Sequence, residues 1–220
     1  MRVLAVDTTT ARESVALAEG GAVRGEVRLN PADSHSTRLM PAVAFLLQSL
    51  DLAPGDVEGY AVAAGPGSFT GLRVGIGTVQ GLALAAGRPC AAISALDALA
   101  VRAAGSAEWI VAVMEAPRGE IFGAIYDSEG RPRGEPVAAP LAAFLEGVPD
   151  GAAFIGDGAQ RYRPAIVAAR PAAVFPRRSL FLAGTLAVMG EAVLAAGRGR
   201  PASELRPLYL READIHKAGG

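Results

Sequence analysis

The feature that most constrains the fold of this 220-residue chain is a strand pattern that occurs in both of its halves. The stretch VLAVDTTTARESVALAEGGAVRGEV, which starts at Val3, resembles IVAVMEAPRGEIFGAIYDSEGRPRGEP, which starts at Ile110. The RGE at residues 24–26 recurs at 133–135, which is 109 residues later. Each copy has the short apolar runs and glycine turns of three consecutive strands. We predict two lobes built from one duplicated unit, although a chain rich in Val and Ala can also produce such a match by chance.

Apolar periodicity and turn residues divide the rest of the chain into further elements. The predicted elements of the first half are a helix within 34–50, a buried strand within 59–67, a helix from near Thr70 to Gly87, and a helix near Ser94. Those of the second half are a short helix near Leu141, a strand within 152–158, and a long helix from about Leu180 to Ala196. We place an N-terminal lobe at 1–105, completed by 204–215, and a C-terminal lobe at 106–203.

The overall charge does not indicate a nucleic-acid-binding protein. The net charge is −1 at pH 7 and the pI is about 6.2, whereas a protein that binds nucleic acid by itself usually has a basic excess. Three arginine pairs do recur along the second half: Arg161 and Arg163, Arg177 and Arg178, Arg198 and Arg200. For these pairs, a solvated surface is favoured over an RNA-binding patch.

The hydropathy pattern favours a soluble, cytoplasmic protein. The start, MRVLAVDTTT, lacks the apolar region of a signal peptide. The longest uncharged apolar stretch, Val74 to Gly87, has 14 residues. A helix needs about 20 residues to span a bilayer, so this stretch is too short.

The motifs of common enzymes are missing, and we predict no catalytic residue and no metal site. With Cys90 as the only cysteine and only two histidines, His35 and His216, the chain has no cysteine zinc site and no HExxH helix. GPGSFTG fits neither the dinucleotide-binding nor the nucleophile-elbow spacing, and no P-loop occurs. Glu115 and Glu120 in EAPRGE are interpreted as charged turn residues rather than as a catalytic carboxylate pair.

One short stretch leaves two interpretations open. Asp7 ends the first predicted strand and is followed by Thr8 and Thr9. A carboxylate there could orient a hydrated Mg²⁺, while hydroxyls and turn amides hold phosphates. The same residues could instead close a turn through side-chain hydrogen bonds.

The helix from Thr70 to Gly87 contains four glycines, each of which costs roughly 1 kcal/mol relative to alanine. Gly71 and Gly75 fall on one nearly flat side, whereas Gly77 and Gly81 lie on the adjoining face. Small residues at this spacing let another backbone approach closely. That backbone could belong to the chain's own sheet or first helix, or to another subunit, and both interpretations stay open.

Taken together, the motifs resemble the bacterial TsaB family, also called YeaZ. The matching stretches are VLAVDTTT, SHSTRLMP, GPGSFTGLRVG, LALAAG, ISALDALA, RGEIF, IGDGA and PLYLR, which cover essentially the whole chain. The sequence departs from the family in EAPRGE, where Glu115 and Pro117 replace the usual acidic D-A-R pattern, and at Ala64, where relatives often have arginine. A charge-dependent role of the EAPRGE turn is therefore not carried over.

The resemblance implies an α/β, duplicated, two-lobed fold of the actin-like and sugar-kinase-like (ASKHA) type. It also implies a role in forming N6-threonylcarbamoyladenosine (t6A) beside the anticodon of tRNA. The catalytic subunit would be a paralogue, TsaD, and this chain an accessory subunit rather than an enzyme. The alternative is an ATP-binding actin-like ATPase whose phosphate site lies at Asp7, Thr8 and Thr9.

The resemblance further implies a heterodimer with TsaD, which the ATPase TsaE joins, and a homodimer when the chain is alone. The chain would meet tRNA through the complex and hold no tightly bound cofactor, with weak binding of ATP or ADP and Mg²⁺ in the complex. We expect the partner interface on the first helix and on the glycine-bearing helix. The residues that we assign to it are Leu39, Val43, Leu46, Gly71, Arg73, Gly75, Thr78, Gln80 and Leu82.

Overall fold

The structure, a computed structural model, describes residues 1–30 and 38–210. Within these ranges the strands are β1 Arg2–Asp7, β2 Glu13–Glu19, β3 Ala22–Leu29, β4 Gly59–Gly65, β5 Cys90–Ser94, β6 Trp109–Glu115, β7 Ile121–Asp127, β8 Val137–Ala139 and β9 Ala153–Ile155. The helices are α1 Leu39–Ser49, α2 Phe69–Ala86, α3 Ala95–Arg102, α4 Leu141–Glu146, α5 Asp157–Arg161, α6 Arg163–Ala169 and α7 Ala183–Ala195.

The strands form two sheets that repeat one topology. The first sheet has the order β3-β2-β1-β4-β5, and the second has the order β8-β7-β6-β9. In both, the central strand (β1 or β6) pairs antiparallel with the next strand and parallel with a later one, β4 or β9. The predicted duplication is therefore confirmed. The third strand of the second copy, β8, begins just after the RGE at residues 133–135.

Small side chains on the inner face of the first sheet let the helices of the core lie close to that sheet. On the first sheet, the inward residues are mostly alanines, whereas the outer face carries larger side chains such as Leu4 and Val62. Helices α3 and α7 lie between the two sheets. A Cβ built on Gly190 of α7 would come within 2.5 Å of the Cβ of Ala61 in β4, so only a glycine at this position lets the helix approach the sheet this closely.

The two helices between the sheets each pack against the sheet of the other half. Helix α7, from the second half, contacts β1, β2 and β4 of the first sheet. Helix α3, from the first half, packs against β6, and the hydroxyl of Tyr126 in β7 donates to Asp97 Oδ1 of α3 at 2.8 Å. A division of the chain at residue 105 therefore separates α7 from the sheet that it covers.

The segment after α7 returns to the first sheet. The amide of Leu208 donates to the carbonyl of Ala64 at 2.7 Å, and the ring of Tyr209 stacks on Phe69 at 5.9 Å. Leu205 is buried among the outer-face residues of the first sheet. Residues 204–210 thus contact the predicted N-terminal lobe, whereas 211–215 lie outside the described residues.

Helix α2 begins and ends with the capping residues that its sequence supplies. It starts at Phe69, one residue before the predicted start, and the Ser68 hydroxyl accepts a hydrogen bond from the Gly71 amide. It ends at Ala86 and is capped by Gly87, whose φ of 62° is a left-handed conformation that glycine adopts without strain. Within the described ranges, no helix combines the length and the apolar character that crossing a membrane requires.

Candidate functional site

The turn after β1 is closed by its own side chains. Asp7, Thr8 and Thr9 are all buried. Asp7 Oδ1 accepts hydrogen bonds from the Thr9 amide at 3.0 Å and from the Thr9 hydroxyl at 2.7 Å. The Thr8 hydroxyl donates to the carbonyl of Gly71 at 2.7 Å. Both threonine hydroxyls therefore donate within the chain rather than toward an open cavity.

The environment of Asp7 is unfavourable for a charge. Burial raises the pKa of its carboxyl to about 6, against the opposing effect of the Thr9 hydrogen bonds. Asp7 Oδ2 has no hydrogen-bond partner among the described residues, and Asp157 on α5 adds a like charge nearby.

The other interpretation of this stretch is a phosphate site at Asp7, Thr8 and Thr9. The surroundings do not fit a phosphate, because Thr8 and Thr9 are sealed and their hydroxyls are already bonded. The structure contains the other arrangement that the sequence left open, in which these side chains close the turn through hydrogen bonds.

Two of the four glycines of α2 are explained by packing within the chain. A Cβ on Gly71 would collide with the carbonyl oxygen of Thr8, and a Cβ on Gly75 would collide with the Thr8 hydroxyl oxygen. Both glycines are buried. They let α2 lie directly on the turn after β1, which holds that turn closed.

The other two glycines have no such role. A Cβ on Gly77 or Gly81 would meet nothing within 4 Å. Both residues are exposed on the side of α2 that faces away from the first sheet. The chain's own packing therefore does not account for their cost of roughly 1 kcal/mol each.

For five of the residues assigned to the partner interface, the predicted surface position is wrong. The side chains of Leu39, Val43 and Leu46 are buried in the core under the outer face of the first sheet. Gly71 and Gly75 are buried against Thr8. The helical periodicity of these positions marks the core-facing stripe, so a partner would have to use the opposite side of each helix.

The remaining four assigned residues are half-buried or exposed. Gln80 Nε2 donates to the carbonyls of Ala202 and Leu205, both at 3.2 Å, so it holds the segment after α7. Thr78 and Leu82 are half-buried. Arg73 is exposed, and its guanidinium lies 3.9 Å from the centroid of the Phe69 ring.

The structure reveals an exposed apolar surface that the sequence analysis missed. Helices α1 and α2 both cover the outer face of the first sheet, α1 over β2 and β3 and α2 over β4 and β1. Phe45 is 62% exposed, Leu84 is 76% exposed, and Met40 is 47% exposed. With Gly77 and Gly81 they form what we call the α1–α2 face. The available signal was apolar residues off the core stripe of an amphipathic helix, since Met40 and Phe45 break that pattern.

The turn after β6, where the sequence departs from the TsaB pattern, is hydrogen-bonded to helix α5. Glu115 Oε2 accepts a hydrogen bond from Arg161 at 2.8 Å, and the Glu115 amide donates to Asp157 Oδ1 at 3.3 Å. Pro117 begins a short 3₁₀ turn. A cleft of about 320 Å³ separates this turn from the start of α2 and is closed on one side by Leu208 and Tyr209.

The residue types that bind metal ions do not gather in the part of the chain that the structure describes. No group of three or more His, Cys, Asp or Glu side chains there could hold a metal ion. His35 and His216 lie outside the described residues. Burial raises the pKa of the Cys90 thiol to about 11, so this cysteine is not a reactive thiolate.

Comparison with known proteins connects this geometry to one group of relatives. The family described as TsaD, tRNA N6-adenosine threonylcarbamoyltransferase, matches residues 22–187. The tRNA threonylcarbamoyladenosine biosynthesis protein TsaB of Escherichia coli is 39% identical over 145 residues, which are 64% of this chain and 62% of that protein. The protein of the same name from Bacillus subtilis is 36% identical over 126 residues, or 57% and 55% of the two chains. The chain thus aligns with less than two thirds of these relatives' own length.

Solved structures extend the similarity over the whole chain. A Pseudomonas aeruginosa protein described as similar to the peptidase YEAZ is 32% identical, with a TM-score of 0.80, over 96% of this chain and 99% of that one. The ROK hexokinase of Thermus thermophilus is 14% identical, with a TM-score of 0.51, over 90% and 100% of the two chains, and shares the fold alone. The predicted actin-like, sugar-kinase-like fold is confirmed.

Proposed function

Since this chain belongs to the TsaB (YeaZ) family, we propose that it is a non-catalytic subunit of the machinery that forms N6-threonylcarbamoyladenosine in tRNA. In this proposal it acts by forming a heterodimer with the catalytic subunit TsaD, which it stabilises and activates. The ATPase TsaE joins this pair, and tRNA binds to the complex. The chain forms a homodimer when TsaD is absent.

The observation that carries the proposal is the α1–α2 face. Phe45 and Leu84 expose most of their apolar side chains to solvent on two helices that cover the same face of the first sheet. Large exposed apolar side chains that share one face of a domain are typical of a protein–protein interface. Aromatic residues with methionine are also the types that interfaces enrich.

The two exposed glycines add a geometric argument. Since Gly77 and Gly81 carry no side chain and have open space above them, a helix of another subunit could lie against the backbone of α2. Close approach of backbones at small residues four apart strengthens helix–helix contact through dispersion. The free energy that the glycines cost in the isolated chain would then be offset on binding.

A non-catalytic role is supported by how the chain uses its polar groups. The hydroxyls of Thr8 and Thr9 and one oxygen of Asp7 are engaged in closing the turn after β1. We therefore assign the threonylcarbamoyl transfer to TsaD and no tightly bound cofactor to this chain. Weak binding of ATP or ADP with Mg²⁺ stays a prediction for the complex.

Reconstitution tests the proposal. The chain is mixed with its cognate TsaD and TsaE, a tRNA transcript and threonylcarbamoyl-adenylate, and modified adenosine is quantified by mass spectrometry. We expect product only when both this chain and TsaD are present, and none from this chain without TsaD. Equal product with and without this chain would contradict the proposal. ATP turnover by the chain alone, abolished by Asp7→Asn, would favour the ATPase alternative.

Variants of the α1–α2 face test the mode of action. Phe45→Glu and Leu84→Glu should each lower the affinity for TsaD at least tenfold, because burying an unpaired carboxylate in an apolar interface is costly. Val167→Glu is the matched control, since Val167 is also an exposed apolar residue on a helix but lies in α6 of the second lobe. The affinity of each variant for TsaD is measured by calorimetry. An affinity that is lowered equally in all three variants, or unchanged in all three, would exclude the α1–α2 face as the TsaD-binding surface.

A further inference from the structure

A small pocket in the second lobe is lined by three arginines and no acidic residue. It has a volume of about 220 Å³ and lies between the end of β9, helices α5 and α6, and the segment that leads to α7. Arg163, Arg177 and Arg178 line it together with Gln160. The cleft beside the β6 turn, in contrast, is lined by Glu115 and by other charged residues of both signs. Because the chain as a whole has a net charge of −1, this cationic lining is a local concentration of charge.

The three arginines lack acidic partners. Arg161 pairs with Glu115 and Arg170 pairs with Asp150, but within residues 1–30 and 38–210 no carboxylate lies within ion-pair distance of Arg163, Arg177 or Arg178. All three side chains are exposed. Unpaired cations around one cavity attract an anion, whereas paired ones are already neutralised.

The segment that leads to Arg177 and Arg178 is anchored to β9 at Val174. Residues 152–154 and Val174 exchange two backbone hydrogen bonds: the Phe154 amide donates to the Val174 carbonyl at 2.8 Å, and the Val174 amide donates to the Ala152 carbonyl at 2.9 Å. The Phe175 ring stacks on Phe154 at 5.9 Å and lies under the guanidinium of Arg163 at 4.5 Å. An ordered support lowers the entropy lost when these side chains bind a ligand.

The positive surface continues onto the first lobe. Arg12, in the loop between β1 and β2, donates from its guanidinium to Gln160 Oε1 of the pocket at 3.3 Å. Burial lowers the pKa of Arg102, and the nearby charges of Arg28 and Arg178 lower it further, against an opposing effect of Glu26. Arg12 thus adds a further guanidinium group from the first lobe beside the pocket.

We propose that Arg163, Arg177 and Arg178 bind the phosphate backbone of an RNA chain directly. The choice of RNA rests on the proposed function, in which tRNA is the substrate of the complex. The pocket is smaller than the roughly 300–1,000 Å³ of sites that enclose a drug-sized ligand, so it fits a single phosphate rather than a whole nucleotide. Arginines bind phosphates through paired N–H donors, and such contacts position a nucleic acid without reading its sequence.

The test measures binding of a fluorescein-labelled tRNA transcript by anisotropy between about 50 and 200 mM salt. The full chain is compared with Arg177→Gln/Arg178→Gln. The matched control is Arg198→Gln/Arg200→Gln, which removes the same charge from another exposed arginine pair. The replaced side chains are exposed, so the melting temperatures of both variants should equal that of the unchanged chain.

We expect the Arg177/Arg178 variant to bind the transcript about tenfold more weakly at low salt and the control to bind as the unchanged chain does. The slope of log affinity against log salt should fall by about 1.4–1.8, because each lost phosphate contact contributes roughly 0.7–0.9. Equal affinities of the two variants, or no binding by the unchanged chain at low salt, would overturn the proposal.

Two competitors distinguish other occupants of the pocket. Millimolar inorganic phosphate at constant ionic strength should leave the RNA bound, whereas displacement would indicate a site for a free anion. Poly-glutamate that binds through the same arginines as tightly as the transcript would indicate an acidic protein instead. Either result would overturn the assignment to RNA.

The failure of this proposal and that of the proposed function can be told apart. Arg177→Gln/Arg178→Gln should leave TsaD binding unchanged, because the pocket lies in the second lobe. Phe45→Glu should leave RNA binding by the isolated chain unchanged. Loss of RNA binding in the arginine variant therefore stands even if TsaD binding is not found.

Discussion

At the scale of single residues, the buried carboxylate of Asp7 sets a pH dependence on stability. Its folded-state pKa is raised to about 6 from the ordinary value of 3.8, because burial disfavours the charged form. The folded chain therefore binds more protons than the unfolded chain in the window between those two values. Stability contributed by this group falls as pH rises through that window, by at most about 3 kcal/mol.

Asp7→Asn should remove this dependence. Asparagine keeps an oxygen that can accept from the Thr9 amide and hydroxyl, but it carries no charge. The free energy of unfolding of the variant, relative to the unchanged chain, should rise between about pH 4 and pH 7 and then level off. Urea unfolding at several pH values measures it. A difference that is constant with pH would mean that Asp7 is not the titrating group.

The four glycines of α2 should respond to alanine in opposite directions. Gly71→Ala and Gly75→Ala should each destabilise the isolated chain by roughly 1–3 kcal/mol, because the added methyl group meets Thr8. Gly77→Ala and Gly81→Ala should each stabilise it by up to about 1 kcal/mol, since alanine is the better helix former and the space is open.

Thermal denaturation of the four variants, together with TsaD binding, separates the two roles. The stabilised variants should bind TsaD more weakly, because a methyl group would hold the partner's backbone away. Four variants of equal stability would mean that the glycines share one role.

At the scale of elements, Gln80 fastens the segment after α7 to α2. Its amide donates to the carbonyls of Ala202 and Leu205. Gln80→Ala should lower the stability by about 0.5–1.5 kcal/mol, because the side-chain hydrogen bonds to this segment are lost. The penalty stays small because the Ala202 carbonyl keeps the Leu205 amide and the Leu205 carbonyl keeps the Arg206 guanidinium. Hydrogen exchange of the Leu205 and Leu208 amides should accelerate in the variant. Arg73→Ala, on the exposed side of the same helix, is the control and should leave that exchange unchanged.

The sequence predicted the elements well because each carries its own local signal. The strand pattern and the helix period locate β1 to β3, α1 and α2, and Gly87 marks the end of α2. The faces of α1 and α2 were assigned incorrectly for a physical reason. A stripe at helical spacing shows that one side is apolar, but only the tertiary contact with Thr8 shows that Gly75 faces inward while Gly77 faces outward.

The arginine pocket is a second feature that depends on tertiary contacts and could not be predicted from sequence patterns. In the sequence, Arg161 and Arg163 look like one pair, and Arg177 and Arg178 like another. The structure pairs Arg161 with Glu115 and brings Arg163 beside the second pair. No spacing rule relates residues 14 positions apart in a turn and a helix, so this grouping depends on the fold.

At the scale of the whole molecule, the exchange of α3 and α7 between the sheets should make the two lobes unfold together. Removing either helix would expose the inner face of the opposite sheet. Fluorescence of Trp109, the only tryptophan, reports on β6 of the second sheet. Its denaturation curve should coincide with the loss of amide protection in β1 and β4, because a two-state unit unfolds as one.

Gly190→Leu should lower the unfolding midpoint by the same amount in the Trp109 fluorescence curve and in the amide-protection curve of the first sheet. The reason is that the larger side chain would push α7 away from Ala61 of the first sheet. Val167→Leu, at an exposed position of α6, is the control and should leave both in place. Separate midpoints for Trp109 and for the first sheet would show that the lobes are independent.

The same exchange governs what happens while the chain is being made. The ribosome releases the five strands of the first sheet once Ser94 has emerged, but Ala195, the end of the helix that covers that sheet, lies 101 residues beyond. At synthesis rates of roughly 5–20 residues per second, the alanine-lined face stays uncovered for about 5–20 s. The half of the molecule that is translated first is thus completed last, and a nascent chain stalled before α7 would present an open sheet to the chaperones around the exit tunnel.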